Sequence, residues 1–315
     1  MDLGFDLTMT QPAESFLQQL QSWGPRAVYT TPPRAAAEAY CRELATSHYE
    51  NFQVVSWLLP RDLRQHFYNI YAYCRWSDDL ADEAGSASES LDLLQWWHEE
   101  LRSAFQGQAH HPVFVALQAT LLKFELTAEP FEDLLSAFRQ DQVKLRYETD
   151  EELLDYCTRS ADPVGRLVLT LGGAAQAENF VWSDSICTGL QLANFCQDLA
   201  VDARKNRIYI PAVRLRQFAV DESAVLKGER TDNMQSLLQQ WCEYADHFLA
   251  QGMPLIKNVP SWLSLDVRLF IAGGRGILQE IRRQHYDVWR KRVSLSKARK
   301  MALVAQSTWQ WMRGV

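Results

Sequence analysis

From Arg34 onward, apolar residues recur at the three-and-four spacing that lines one face of a helix, and no stretch shows the period-two alternation of a half-buried strand. The periodic segments break at Pro60, Gly85, Gly107 to Pro112, Pro130, Gly172 and Gly173, Pro211, Gly228, Pro254 and Pro260. These breaks divide the chain into about eight to ten helices. Thr149-Asp150-Glu151-Glu152 has the form of a capping box, and Ser183 with Asp184, and Ser294, are further N-cap candidates. With no strand, internal repeat or low-complexity tract, the pattern implies an all-α fold, one helical bundle over residues 34–315 with no internal domain boundary. Residues 1–33, with Pro12, Gly24, Pro25, Pro32 and Pro33, read as a loosely ordered N-terminal extension holding at most one short helix. A bundle of this length buries a deep core. With 47% hydrophobic and 11% aromatic residues it can also wall an apolar central cavity.

Charge and cysteine usage remove several function classes. A formal net charge of -7, without a sizeable basic patch, gives no electrostatic case for nucleic acid. Cys41, Cys74, Cys157, Cys187, Cys196 and Cys242 are scattered without a C-x-x-C pair and follow no secretory leader, so reduced thiols in a cytoplasmic protein are expected and zinc is disfavoured. No apolar run reaches the roughly 18 to 20 residues of a membrane span. Trp309 and Trp311 leave peripheral contact with a bilayer open.

Two clusters of acids carry the chemistry. In the segment from Asp62 to Glu83, Leu63, Phe67, Ile70, Tyr71 and Cys74 form one helical stripe, which Asp78 and Asp82 continue. Two carboxylates one turn apart on a core-facing stripe repel and are poorly hydrated unless a cation lies between them, and a hard divalent ion with oxygen ligands fits. Asp79 falls at the edge of that face, and Arg75, one turn earlier, is placed to grip a phosphate oxygen. Between Ile186 and Asp202, Asn194, Asp198 and Asp202 stand at i, i+4 and i+8, a second ladder of oxygen donors expected on successive turns of one helix. Its Asn coordinates without adding charge. Arg204, Lys205 and Arg207 follow, suited to neutralising a departing diphosphate. Either cluster alone is explained by a solvated helix end. Their pairing in one helical chain points to Mg²⁺, two or three ions, held against a diphosphate.

The same residues resemble the squalene/phytoene synthase family over about residues 48–300. Asn51-Phe52, Leu58-Leu59-Pro60 and Ile70-Tyr71-Ala72-Tyr73-Cys74-Arg75, running into Asp78-Asp79-Leu80-Ala81-Asp82, are similar to the family's first signature. Gln191-Leu192-Ala193-Asn194-Phe195-Cys196-Gln197-Asp198, ending at Asp202 and followed by Arg207-Ile208-Tyr209-Ile210-Pro211, resembles the second. Tyr156-Cys157 and Ile281-Arg282-Arg283 through Tyr286-Asp287-Val288 agree as well. The resemblance implies a single-domain isoprenoid-synthase bundle acting on a prenyl diphosphate. Asp78, Asp82, Asn194, Asp198 and Asp202 would bind Mg²⁺, and Arg75, Arg207 and, on a looser match, Arg268 would contact diphosphate. Tyr156 would lie beside the reacting carbons.

Glu50-Asn51-Phe52, Ala161-Asp162-Pro163-Val164-Gly165 and Gly273-Gly274 depart from the commonest family pattern and resemble the HpnC-type hydroxysqualene synthases of hopanoid pathways. That resemblance implies presqualene diphosphate as substrate, received in some cases by hand-over from the enzyme that makes it, and water as the quenching nucleophile. The alternatives are head-to-head condensation of two prenyl diphosphates such as farnesyl diphosphate, to presqualene diphosphate, squalene or phytoene, and a non-catalytic helical scaffold. Squalene formation would need NADPH, which the lack of a glycine-rich dinucleotide fingerprint disfavours. A di-iron carboxylate bundle is disfavoured because no His has a Glu three residues before it.

Overall fold

The computed structural model describes residues 15–47 and 59–313. Glu50, Asn51, Phe52 and Leu58 lie outside the described residues. The described chain is all-α. Its fifteen α-helices are α1 (Phe16–Trp23), α2 (Arg34–Ser47), α3 (Arg61–Asp82), α4 (Ala87–Phe105), α5 (Pro112–Lys123), α6 (Glu129–Val143), α7 (Asp150–Ser160), α8 (Asp162–Leu171), α9 (Ala177–Gln197), α10 (Leu199–Arg204), α11 (Ala212–Gln217), α12 (Glu222–Lys227), α13 (Asp232–Gln251), α14 (Ser261–Arg283) and α15 (Lys297–Met312). A 3₁₀ turn, Met253–Lys257, joins α13 to α14.

The count exceeds the eight to ten expected because two breaks carry no advance warning. α7 and α8 part at Ala161, and α9 and α10 part at Asp198. Three six-residue helices also escape a periodicity reading, which needs about eleven residues to register. Capping differs too. Ser183 and Asp184 lie inside α9, and α15 is capped by Ser296, whose hydroxyl accepts from the Arg299 N–H, rather than by Ser294. Thr149 caps α7 as expected, but Glu152 reaches back to the N–H of Glu148, at 2.5 Å. Within the N-terminal extension, α1 has a complete Ser15–Gln18 capping box, and its Phe16 packs edge-on against Trp76.

Two apolar clusters form. The N-terminal one, from α1 to α6, centres on Trp76 and Trp97, stacked with centroids 5.2 Å apart. Their indoles are satisfied by the Tyr40 hydroxyl and Ser77 Oγ, and the Tyr73 hydroxyl donates to the Phe131 carbonyl. Satisfying these three side chains in this way fixes the rotation of α3. The C-terminal cluster joins α7, α9, α13 and α14, and Trp241 Nε1 donates to the Leu192 carbonyl at 2.9 Å. Val168 and Trp262 pack against both clusters, and α6 and α8 contribute buried residues to each. All six cysteines are free thiols, and no described helix is long and apolar enough to cross a membrane.

At Gly189 α9 presses directly on α13, and a Cβ there would stand 2.9 Å from the backbone nitrogen of Leu249. Gly189→Ala would gain about 1 kcal/mol of helix propensity, yet it forces two helices apart at a cost of about 1–3 kcal/mol. We expect a net fall in the urea midpoint. A midpoint that rose would show that the two helices have room for a methyl group there.

Candidate active site

α3 presents two faces. His66, Asn69, Tyr73, Trp76, Ser77 and Leu80 are buried against neighbouring helices, whereas Leu63, Tyr71, Cys74 and Asp78 lie half-buried and Asp82 is exposed. The predicted stripe starts in the core at the buried Phe67 and Ile70 and ends at its more exposed acids. They open onto a cavity of about 380 Å³ at the junction of the two clusters, shared with α6, α7, α9, α10 and the loop after it.

Of the residues singled out in the sequence, Asp78, Asp82, Tyr156, Asn194, Asp198, Asp202 and Arg207 all line this one cavity. The second ladder is not a single helix. Asp198 (φ -100°, ψ 6°) ends α9 and begins α10, but its N–H still donates to the Asn194 carbonyl and its own carbonyl accepts from Asp202, so the helical spacing survives the break. The two acidic segments face each other. Lys205 Nζ lies 2.9 Å from Asp82 Oδ2, and Arg207 stands 3.5 Å from the same carboxylate. The turn that aims Arg207 inward has Asn206 in the left-handed region (φ 56°), which Asn tolerates well, and Arg146 donates to the Asn206 side chain at 2.9 Å. The Ile208 N–H then pairs with the Leu145 carbonyl.

Arg75 and Arg268 are not in the lining. Arg75 closes its fork on Asp79, which is buried rather than at an edge, and burial raises the Asp79 carboxyl to about 7 against the pull of Arg75. Arg268 lies on α14 with its Nε buried and unpartnered among the described residues, so burial lowers its pKa.

Two groups were missed. Asp141, 8% exposed, accepts from Tyr156 Oη at 2.7 Å and from Tyr209 Oη at 3.0 Å. It continues the α6 apolar stripe of Phe131, Leu134, Leu135 and Phe138, the same acid-on-an-apolar-face signal that exposed Asp78. Burial lifts its carboxyl to about 6 even with two phenol donors and Arg207 opposing, and it holds the Tyr156 phenol well above its usual range and so neutral. Tyr209 stacks on Phe195 with centroids 4.1 Å apart, giving the cavity an aromatic wall. Arg292, 94 residues from its partner, brackets Asp198 with Nε and Nη2. Nothing local in the sequence announced it.

The donor set suits a hard dication. Burial and then the charge of Asp82 raise the Asp78 carboxyl, and burial and then Asp198 raise Asp202 to about 7, costs that a bound cation would offset. Among the described residues no three carboxylate, imidazole or thiol groups converge tightly enough to enclose one ion.

Residues 45–299 match the squalene/phytoene synthase family model. A phytoene synthase from Arthrospira platensis is 32% identical over 290 residues, 85% of this chain and 92% of that protein. The crystal structure of squalene synthase HpnC from Alicyclobacillus acidocaldarius superposes with a TM-score of 0.77 at 43% identity, covering 82% of this chain and 98% of that one. A ligand-bound dehydrosqualene synthase has a TM-score of 0.81 at 22% identity, over 90% of this chain and 98% of its own, and shares the fold. With its all-α bundle, its two facing acidic segments and a family match across most of its length, the chain belongs to the squalene/phytoene synthase family, whose members act on prenyl diphosphates.

Proposed function

We propose that the enzyme ionises presqualene diphosphate with Mg²⁺ bound at Asp78, Asp82, Asn194, Asp198 and Asp202, rearranges the cation and captures it with water, releasing hydroxysqualene and diphosphate. The observation that carries the proposal is the meeting of both acid sets with Lys205, Arg207 and the Tyr156–Asp141–Tyr209 cluster in one cavity. Support for the HpnC-type reaction over phytoene formation comes from the 43% identity to the HpnC squalene synthase against 32% to the phytoene synthase.

In this reading the carbon–oxygen bond to diphosphate breaks with both electrons leaving on oxygen. The cyclopropylcarbinyl cation opens, and a water oxygen forms the new carbon–oxygen bond and loses a proton. Nothing is oxidised or reduced, so no nicotinamide is consumed. Bound Mg²⁺ would supply positive charge where the leaving group gains negative charge. Lys205 and Arg207, paired with Asp82, and Arg292, paired with Asp198, are the cations positioned to turn onto diphosphate oxygens. The faces of Phe195 and Tyr209 stabilise a passing cation. Asp141 anchors both phenols and so positions Tyr156.

Incubation with Mg²⁺ and either presqualene diphosphate or farnesyl diphosphate, without NADPH, tests this by mass spectrometry of the lipid products. We expect hydroxysqualene from presqualene diphosphate and unconsumed farnesyl diphosphate. Consumption of farnesyl diphosphate would establish the condensing reading that the phytoene synthase relative favours, and turnover of neither substrate would sink both.

A further inference from the structure

α15 turns an apolar face to solvent. Ala298, Met301, Ala302, Ala305, Trp309 and Met312 fall at i, i+3, i+4, i+7, i+11 and i+14, one continuous stripe, and all six are exposed, Met301 by 73%, Met312 by 67% and Trp309 by 48%. The opposite side of the helix is the one docked on the protein, with Ser307 buried and Trp311 Nε1 donating to the Ser261 carbonyl at 2.8 Å. An outward stripe without a charged residue is the reverse of what a solvated surface helix carries.

The charge around it is equally one-sided. Residues 288–313 hold seven basic and no acidic side chains, in a chain whose net charge is -7. Arg290, Lys291, Lys297 and Lys300 are exposed, Lys297 borders the stripe at one end, and Arg313 lies 4.0 Å over the Trp309 ring at the other. Of the two tryptophans singled out in the sequence, Trp309 lies on the stripe and Trp311 faces the protein.

We propose that the α15 stripe, with its flanking bases, docks the protein peripherally on an anionic lipid bilayer. The apolar stripe alone would accept any apolar partner, and the charge selects among them. A second copy brought stripe to stripe would set like-charged margins against each other, Lys297 and Arg313 included, whereas anionic headgroups complement them. A Trp and two Met on a helix lying in the interface, bases at its margins and an Arg folded back over the indole, fit the boundary between headgroups and acyl chains. The loop that carries Arg290 and Lys291 also carries Arg292 to Asp198, so the basic loop before α15 reaches a residue that lines the cavity. This inference is read by binding alone and does not depend on which reaction the cavity performs.

The test is flotation of the full-length chain with phosphatidylcholine vesicles, with and without phosphatidylglycerol, at low and high salt. We expect binding about tenfold or more tighter to the anionic vesicles, weakening as salt rises. The double replacement Met301→Glu with Trp309→Glu, and separately Lys297→Glu with Arg313→Glu, should each remove that preference while leaving the melting curve unchanged. Equal binding to both vesicle types, no binding, or undiminished binding by both double variants overturns the proposal. So does a dimer in sedimentation that the Met301/Trp309 variant dissociates while vesicles are ignored, since the stripe would then be a protein contact.

Discussion

Asp78→Asn and Asp198→Asn, made singly, should each lower kcat/KM by about 10²- to 10³-fold, the scale of losing one electrostatic contact aimed at a developing charge. Asn keeps an oxygen of nearly the same shape, so the change isolates charge. Folding should be little affected at Asp78, whose nearest cation is Arg75 at 3.7 Å and whose carboxyl is already pushed upward by burial and by Asp82. At Asp198 the replacement halves the bracket with Arg292, which is partly exposed and therefore worth little to stability. The discriminating measurement is turnover across a Mg²⁺ titration, with thermal melts alongside. A rightward shift in Mg²⁺ requirement together with a lower plateau is the expected pattern. If both variants turned over near normally at saturating Mg²⁺, the facing-acid model would be wrong.

Asp266→Asn should raise stability at neutral and alkaline pH by a few kcal/mol, the order set by a shift of several pKa units at 1.36 kcal/mol each. Asp266 lies on α14, 1% exposed, with neither carboxylate oxygen hydrogen-bonded among the described residues, and burial alone raises its carboxyl to about 8. The sign follows from proton counting. Below the unfolded value of about 3.9 both states are protonated and no penalty exists. Between that value and about 8 the unfolded chain releases a proton that the folded one keeps, so stability falls with rising pH, and above about 8 the loss is complete. Asn cannot ionise, so the gain should be absent near pH 4, grow through neutrality and level off above pH 8. Urea midpoints of both proteins across that range provide the check. A gain independent of pH would show that the ionisation of Asp266 plays no part.

Much of the site was legible because its residues obey helical arithmetic. Asp78 and Asp82 differ by four, as do Asn194, Asp198 and Asp202, and a backbone that bends at Asp198 while keeping its hydrogen bonds preserves that arithmetic. Asp141 carried the same mark, an acid ending an apolar stripe, and went unread because it stands alone. Arg292 was beyond reach of local reasoning, since its role depends on a loop returning from α14 to the end of α9. Arg75 shows the converse failure. Spacing put it one turn from Asp79 as correctly as from Asp78, and only burial decides that it serves the former. For the fold, periodicity found the long helices, while α10 to α12 are too short to show a period and the partition at Ala161 has Pro163 inside the new helix rather than between two.

The two walls of the cavity belong to different apolar clusters, α3 to one and α9 to the other, while α6 and α8 contribute buried side chains to both. The separation of the opposed acids is therefore set by how α3 and α9 pack against the shared α8, not by the geometry within either acidic helix. Whatever spans that gap acts as a clamp on the whole molecule. Lys205 reaching Asp82 is the protein's own clamp, and a ligand that replaces it takes over the task of holding the halves in register, which joins occupancy of the cavity to the rigidity of the entire bundle.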